Sequence, residues 1–413
     1  MTCPKIGEDV SSTEKNAGFI LRCLNLFVQN GTSVEELRAE ISSLDWDFII
    51  KISDLHRVLP FFTVALRNTK EWCEIQGSVK KRLVAGMMRA EWENVTKQLE
   101  FQAINRAFEA KGILVIPLKG IALTFLIYQK YPYRQMGDID LLVQEKDLKN
   151  VRALLRERNF SLKALPYRWQ TQTVNTIFGR GSYVKEGLDL DLQWNPRFLI
   201  ARRLIEWGAQ GVWKRALSFP PGGKNVFLLS PEDNLRYLLL QICSDFEGRD
   251  EHGVFLHLVQ LLDAALVIKN YSFDSGSSLE AISASFESPV RERVVTCLGA
   301  IRECLLEDKG YKDISPRSRG FVEFFLSRPV NFESRFSGKS FLSLPVSPVD
   351  KAVFLAGYLL PRKTGTASTY LNHWKKLLRK VGALGTSYLT TVRKYVGLAS
   401  GKGGANHVGQ EDE

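Results

Sequence analysis

Gly137-Asp138-Ile139-Asp140-Leu141-Leu142-Val143 is the stretch on which the reading of this chain turns. Its alternation predicts a strand with Asp138 and Asp140 on one face and Ile139, Leu141 and Val143 on the other. Same-face neighbours on a strand lie ~6.6 Å apart, close enough for two carboxylates to converge on one or two cations. Without a cation they repel, and strands disfavour Asp in any case. Departures of this kind from local consistency tend to mark functional positions.

A second run repeats the device. In Leu188-Asp189-Leu190-Asp191-Leu192-Gln193-Trp194 the apolar residues share one face, while Asp189, Asp191 and Gln193 share the other. Paired beside the first strand, it would bring Asp191 to the same place as a third carboxylate. Three hard oxygen ligands with no His or Cys nearby select Mg2+ or Mn2+ over zinc. Such ions hold phosphate oxygens and stabilise both the attacking and the leaving oxygen of an in-line displacement. Solvated Asp on the wet face of an ordinary strand is the plain alternative for a lone Asp-x-Asp, and the upstream context weighs against it.

Upstream, Ile113-Leu114-Val115-Ile116-Pro117-Leu118 is an apolar run that suits a buried strand. Lys119-Gly120 ends it, and Ile121 to Gln129 returns to helical composition. A glycine there lets the backbone approach a phosphate, and the helix N-terminus offers free N–H groups and a positive dipole. Lys119 adds a mobile positive charge. Arg134 is either a contact to a triphosphate or departing pyrophosphate, or a surface residue of the Tyr131-Pro132-Tyr133 loop. A helix from about Lys146 to Arg158 and two or three strands between Leu162 and Trp194 follow. The alternation predicts a small α/β or α+β domain over roughly residues 112–195.

The flanks read as helical. Phe19, Leu21, Leu24 and Phe27, then Leu59, Phe62 and Leu66, recur at helical spacing within residues 13–112. Thr32-Ser33-Val34-Glu35-Glu36 resembles a capped helix start, and Val79 to Ala110 fits one or two amphipathic helices. Downstream, Ser230-Pro231-Glu232-Asp233 is a helix-start signal, with Ser230 as cap and Pro231 in the first turn. Leu256 to Ile268 predicts a buried helix, and the Ser-rich residues 270–289 a loop or linker. Lys351 to Arg393 predicts basic amphipathic helix, and Gly397 to Glu413 a disordered tail. His252, His257 and Asp263 are expected to be structural, with Asp263 pairing a buried Arg or reaching the site. Trp194, Trp207 and Trp213 are expected in the core.

The 413 residues are 45% hydrophobic and 24% charged, which excludes disorder for most of the length. Net charge is +11, and from Lys351 onward ten Lys or Arg stand against three Asp or Glu. That asymmetry fits an anionic partner, such as nucleotide phosphates, RNA or an acidic membrane surface, and equally fits solvated helix faces. Six cysteines form no CxxC pair or metal-spaced cluster, and Cys23 and Cys243 read as small buried hydrophobes. No secretory signal follows Met1, and no segment reaches the ~18 uninterrupted apolar residues of a membrane span. A cytoplasmic protein is expected.

Taken together, Leu118-Lys119-Gly120, then Tyr131-Pro132 with Arg134 and Met136, then Gly137 to Val143, resemble the bacterial uncharacterised nucleotidyltransferase family of the DNA polymerase β-like superfamily. Asn159-Phe160, Leu190-Asp191-Leu192-Gln193-Trp194, Leu229 to Asp233 and the helix containing Asp263 extend the likeness over roughly residues 45–270. The resemblance implies a small mixed-sheet nucleotidyltransferase core over 112–228. Helical regions at 1–111 and 229–395 would flank it, with a tail at 396–413. It implies that Asp138 and Asp140 bind the metal ions. Asp191 would complete the site and serve as candidate base. Lys119, Gly120, Arg134 and Gly137 would lie at the nucleotide. Gly120-Ile121 departs from the superfamily's Gly-Ser or Gly-Gly, and Gln193 stands where His is usual. The implied activity moves a nucleoside monophosphate from an NTP to an acceptor hydroxyl of a sugar, peptide, protein or RNA, with Mg2+ or Mn2+. Phosphotransfer on the same scaffold and a non-catalytic nucleotide- or RNA-binding protein are the alternatives.

Overall fold

A computed structural model describes residues 6–30, 41–129, 133–163, 175, 178–201, 203–247, 257–273, 276–307, 314–316 and 318–319. The expectations for Thr32 to Glu36, Tyr131-Pro132, His252, the basic segment Lys351 to Arg393 and the tail lie outside those residues. Almost all described residues belong to one compact unit made of residues 1–163 and 179–334.

Helices open the chain: α1 (Ile6–Gln29), α2 (Trp46–Leu55), α3 (Leu59–Arg67) and α4 (Gly77–Glu109). The 77–109 segment is a single helix. Val79, Leu83, Met87, Ala90, Asn94, Lys97, Phe101, Ile104 and Phe108 are buried along it at three- and four-residue steps, so one stripe faces inward over its whole length.

The sheet region then runs β1 (Val115–Pro117), α5 (Lys119–Leu126), β2 (Asp138–Val143), α6 (Leu148–Glu157), β3 (Ser161–Leu162), β4 (Arg180–Lys185) and β5 (Leu188–Gln193). These make a five-stranded mixed sheet in the order β1-β2-β5-β4-β3. Only β2 and β5 are parallel, with Asp138 opposite Asp189 and Asp140 opposite Asp191. The remaining pairs are antiparallel.

Two short hairpins follow, β6 (Arg197–Ile200) with β7 (Arg203–Glu206), and β8 (Leu217–Ser218) with β9 (Phe227–Leu228), separated by α7 (Ala209–Arg215). Helices α8 (Pro231–Glu247), α9 (Leu258–Asn270), α10 (Gly276–Ala284) and α11 (Val290–Ile301) complete the described fold. The start of α8 follows the sequence signal: the Asp233 N–H donates to Ser230 Oγ at 3.2 Å, and the Asp233 carboxylate is held by Arg215 at 2.9 and 2.8 Å. Trp194 and Trp207 are buried and Trp213 packs against the core. Cys23 and Cys243 are buried free thiols. The Ser-rich span departs from expectation. Residues 276–284 are helical because Leu279 and Ile282 fall on one face and pack into the core, with Phe286 packing just beyond the helix end, and that burial outweighs the weak helix propensity of Ser.

Two apolar cores divide the sheet. Ile139, Leu141, Val143, Leu190 and Leu192 pack against α6 and the second half of α4. The opposite face of β2 carries Leu142 into the larger core shared by the N-terminal helices and by α8, α9 and α11. Asp138, Asp140 and Asp191 lie on this second face, where the sheet meets the helices. No described helix is long and apolar enough to cross a membrane.

Candidate active site

Strand alternation on β2 and parallel in-register pairing with β5 bring Asp138, Asp140 and Asp191 together. One oxygen from each lies within 4.8 Å of the others. Asp140 is only 2% exposed, while Asp138 and Asp191 are half-buried. Two carboxylate charges at that spacing repel by on the order of 3 kcal/mol at an effective dielectric of ~20. Three full charges therefore do not coexist without a proton or cations among them. Burial, then the charges of Asp138 and Asp191, raise the Asp140 carboxyl to about 7, and Lys119 opposes them.

Lys119 supplies one counter-charge. Its Nζ donates to Asp140 Oδ1 at 2.7 Å. Burial pulls the ammonium down, yet Asp140 and, more weakly, Tyr237, Asp138 and Asp191 carry it well above its usual range. The turn that delivers it is tight. Lys119 sits at φ +47°, a left-handed conformation costing a side-chain-bearing residue about 1 kcal/mol. The Leu118 N–H donates to the Asp140 carbonyl at 2.9 Å and ties the turn to β2. Lys119 and Gly120 open α5, as the sequence predicts. A Cβ on Gly120 would lie 2.6 Å from Met136 Cγ and 2.7 Å from Arg134 Nη1, so any side chain here must displace the buried Met136 or the paired Arg134 guanidinium.

Arg134 is committed inward. Its guanidinium forms a two-pronged ion pair with Asp263 on α9, both side chains being more than nine-tenths buried, and Nη1 donates to the Gln135 carbonyl at 3.2 Å. Tyr128 donates to the same carboxylate at 2.8 Å. Asp263 thus meets a buried Arg, one of the two outcomes the sequence left open. Gln193, buried behind the acids, donates from Nε2 to Asp140 Oδ1 at 3.2 Å and accepts from the Tyr237 hydroxyl at 3.0 Å. Ser182, opposite Asp191 on β4, donates to its Oδ1 at 2.6 Å. Asp189 faces Lys163 at 3.4 Å, largely exposed.

Sequence reading did not single out Ser182, Tyr237, Arg57 or Lys97. An ideal Cβ on Gly137 would fall 2.6 Å from Arg57 Nη2 and 2.7 Å from Cζ, so the guanidinium rests against the glycine backbone one residue before Asp138. Lys97 is buried on α4. Burial lowers both cations, while Asp138 pulls each of them back up. Nothing local marks either position: Arg57 lies in the turn after α2 at φ +59°, and Lys97 sits in the buried stripe of a helix where a solvated lysine is the ordinary expectation.

Three carboxylates without thiol or imidazole form a donor set suited to Mg2+ or Mn2+, and among the described residues no other such cluster occurs. No curated protein matches this chain. The solution structure of the antibiotic-resistance factor ANT(2'')-Ia is similar over 47% of this chain and 92% of its own, at 13% identity and a TM-score of 0.33. The family model for uncharacterised nucleotidyltransferases matches residues 42–291, which takes in the sheet, the acid cluster and the helices on both sides of them. The chain belongs to the uncharacterised nucleotidyltransferase family.

Proposed function

We propose that this protein moves a nucleoside monophosphate from an NTP to an acceptor hydroxyl at the Asp138, Asp140 and Asp191 cluster. The gathering of three carboxylates within 4.8 Å, from two parallel strands, carries this reading. Mg2+ or Mn2+ held by the three would neutralise phosphate charge and stabilise the attacking and leaving oxygens. Asp191, whose Oδ1 accepts from Ser182, is placed to take the proton of the acceptor hydroxyl as that oxygen attacks the α-phosphate and pyrophosphate leaves. Lys119 holds Asp140 in place and offers positive charge beside the phosphates. Gly120 and Gly137 let backbone and guanidinium come close, and Arg134 fixes the turn between them through Asp263. Positioning and electrostatics supply most of the rate, since this chemistry asks little of protein nucleophiles.

The test is a screen of radiolabelled NTPs with Mg2+ and cell extract, followed by the mass of the labelled product. A nucleoside monophosphate gained by the acceptor supports the reading. A phosphoryl group gained instead assigns phosphotransfer, and steeply salt-dependent RNA binding with no NTP consumed assigns a binding protein.

A pH dependence follows from Asp140. Proton and cation compete for the same oxygens. Because the carboxyl sits at about 7 rather than in the usual acid range, Mn2+ affinity should be level above pH 7 and fall as pH drops below it. The fall should approach tenfold per unit, with about one proton released per ion bound near pH 6. Mn2+ titrations followed by electron paramagnetic resonance check this, and a flat profile between pH 8 and 5.5 would contradict it.

A further inference from the structure

Arg57 and Lys97 frame the entry to β2 from the helical side. The Arg57 guanidinium lies against Gly137, next to Asp138. Lys97 is one turn beyond Asn94 on α4, and the Asn94 side-chain carbonyl accepts the Met136 N–H at 3.2 Å. Lys97 is 8% exposed and Arg57 is half-buried, and among the described residues neither side chain makes a hydrogen bond or a close ion pair. Glu93 lies near both and offsets part of their charge, while it also faces Arg89, which pairs more closely with Asp54, at 3.9 Å. Lys119 and Arg134, two further cations of this region, are already bound to Asp140 and Asp263.

Two neighbouring cations that have lost water, and whose charge Asp138 and Glu93 only partly offset, are disfavoured on both counts, by desolvation and by mutual repulsion. A bound anion relieves both. Its oxygens would have to reach the cations and the carboxylate-held metal together, and a polyphosphate, with oxygens on successive phosphorus atoms, meets that requirement. A guanidinium and an ammonium are also the side chains suited to phosphate, one as a planar fork and the other as a point charge.

We propose that Arg57 and Lys97 form an anion subsite beside the carboxylate cluster that holds the terminal phosphates of the nucleotide and then the pyrophosphate they become. The choice of polyphosphate rests on the nucleotidyl-transfer reading, whereas the existence of an anion subsite does not. The role differs from simple charge balance in its effect on metal. Removing a nearby cation cannot weaken the hold on Mn2+, but it must weaken the hold on an anion.

Isothermal titration of the full chain with inorganic pyrophosphate in saturating Mg2+ tests it. Arg57→Met and Lys97→Met should each weaken pyrophosphate binding by about tenfold or more. Arg57→Lys should recover part of the loss, Mn2+ affinity should stay level or rise, and ATP should compete with pyrophosphate. Circular dichroism and melting curves establish folding; should a methionine variant fail to fold, Arg57→Lys and Lys97→Gln give the same reading with smaller changes. Binding equal to wild type in folded variants overturns the subsite, as does wild type that binds no pyrophosphate. Simultaneous, non-competing binding of ATP and pyrophosphate overturns its assignment to the nucleotide. The test reads binding alone. If no NTP turns over with any acceptor while these variants still lose pyrophosphate, the reading of the reaction falls and the subsite stands.

Discussion

Asp140→Ala should abolish metal-dependent NTP turnover, a loss of about a thousandfold or more, since it removes one of three oxygens gathered where phosphate charge is handled. The same replacement should leave the fold intact. Ionised Asp140 is disfavoured in the native state, because burial and two neighbouring carboxylates hold its pKa above the ordinary value. With the folded value raised, the charged group opposes folding above about pH 7, and removing it relieves that opposition. Asp140→Asn should therefore melt at or above the wild-type temperature at pH 8 in metal-free buffer while losing activity. A variant that melts several degrees lower would show that the Lys119 ion pair outweighs the repulsion from Asp138 and Asp191. Turnover at wild-type rate in Asp140→Ala and in Asp138→Ala would remove this site from consideration, and Asp191→Asn should be nearly as damaging.

Asp263→Ala should destabilise the protein by about 3–5 kcal/mol, the range found when one partner of a buried ion pair is deleted. Arg134 would keep its charge in a space less than a tenth exposed, and the Tyr128 hydroxyl would lose its acceptor as well. The pair joins α9 to the segment before β2, so the damage should spread to the turn at Gly120, which Arg134 and Met136 crowd. Replacing both partners, Arg134→Met with Asp263→Leu, should recover most of the stability, because matched apolar groups leave no orphaned charge. Urea unfolding measures this directly. A loss below about 1 kcal/mol for Asp263→Ala would show that water or another side chain compensates the guanidinium.

The parts of the site readable in the sequence are those encoded over a few residues. Alternation placed Asp138 with Asp140, and Asp189 with Asp191, on common faces, and the Lys119-Gly120 turn followed from the end of an apolar run. The pairing of β2 with β5 was a condition rather than a derivation, because register across some fifty residues has no local signature; the structure supplies it. Arg57 and Lys97 were not legible for a related reason. Lys97 lies on a helix whose pattern concerns only which stripe is buried, Arg57 lies in the turn between α2 and α3, and the meaning of either charge depends on what another part of the chain brings opposite. Residues 270–289 misled in the other direction, since Ser content marks solvent-facing loops on average, while Leu279, Ile282 and Phe286 were enough to seat α10. Gln193, placed by alternation on the face of Asp191 and noted as standing where His is usual, links Tyr237 to Asp140, a connection that needs a carbonyl and an N–H donor on one side chain.

The ladder between β2 and β5 makes the assembly all-or-none. Side chains alternate with a period of two, so sliding β5 by a single position would turn Leu190 and Leu192 onto the acidic side and drive Asp191 into the apolar layer over α6. There is no intermediate setting. Insertions in the chain that links the two strands should thus either spare the chemistry entirely or erase it, and partial activity should arise only from changes outside this pair of strands.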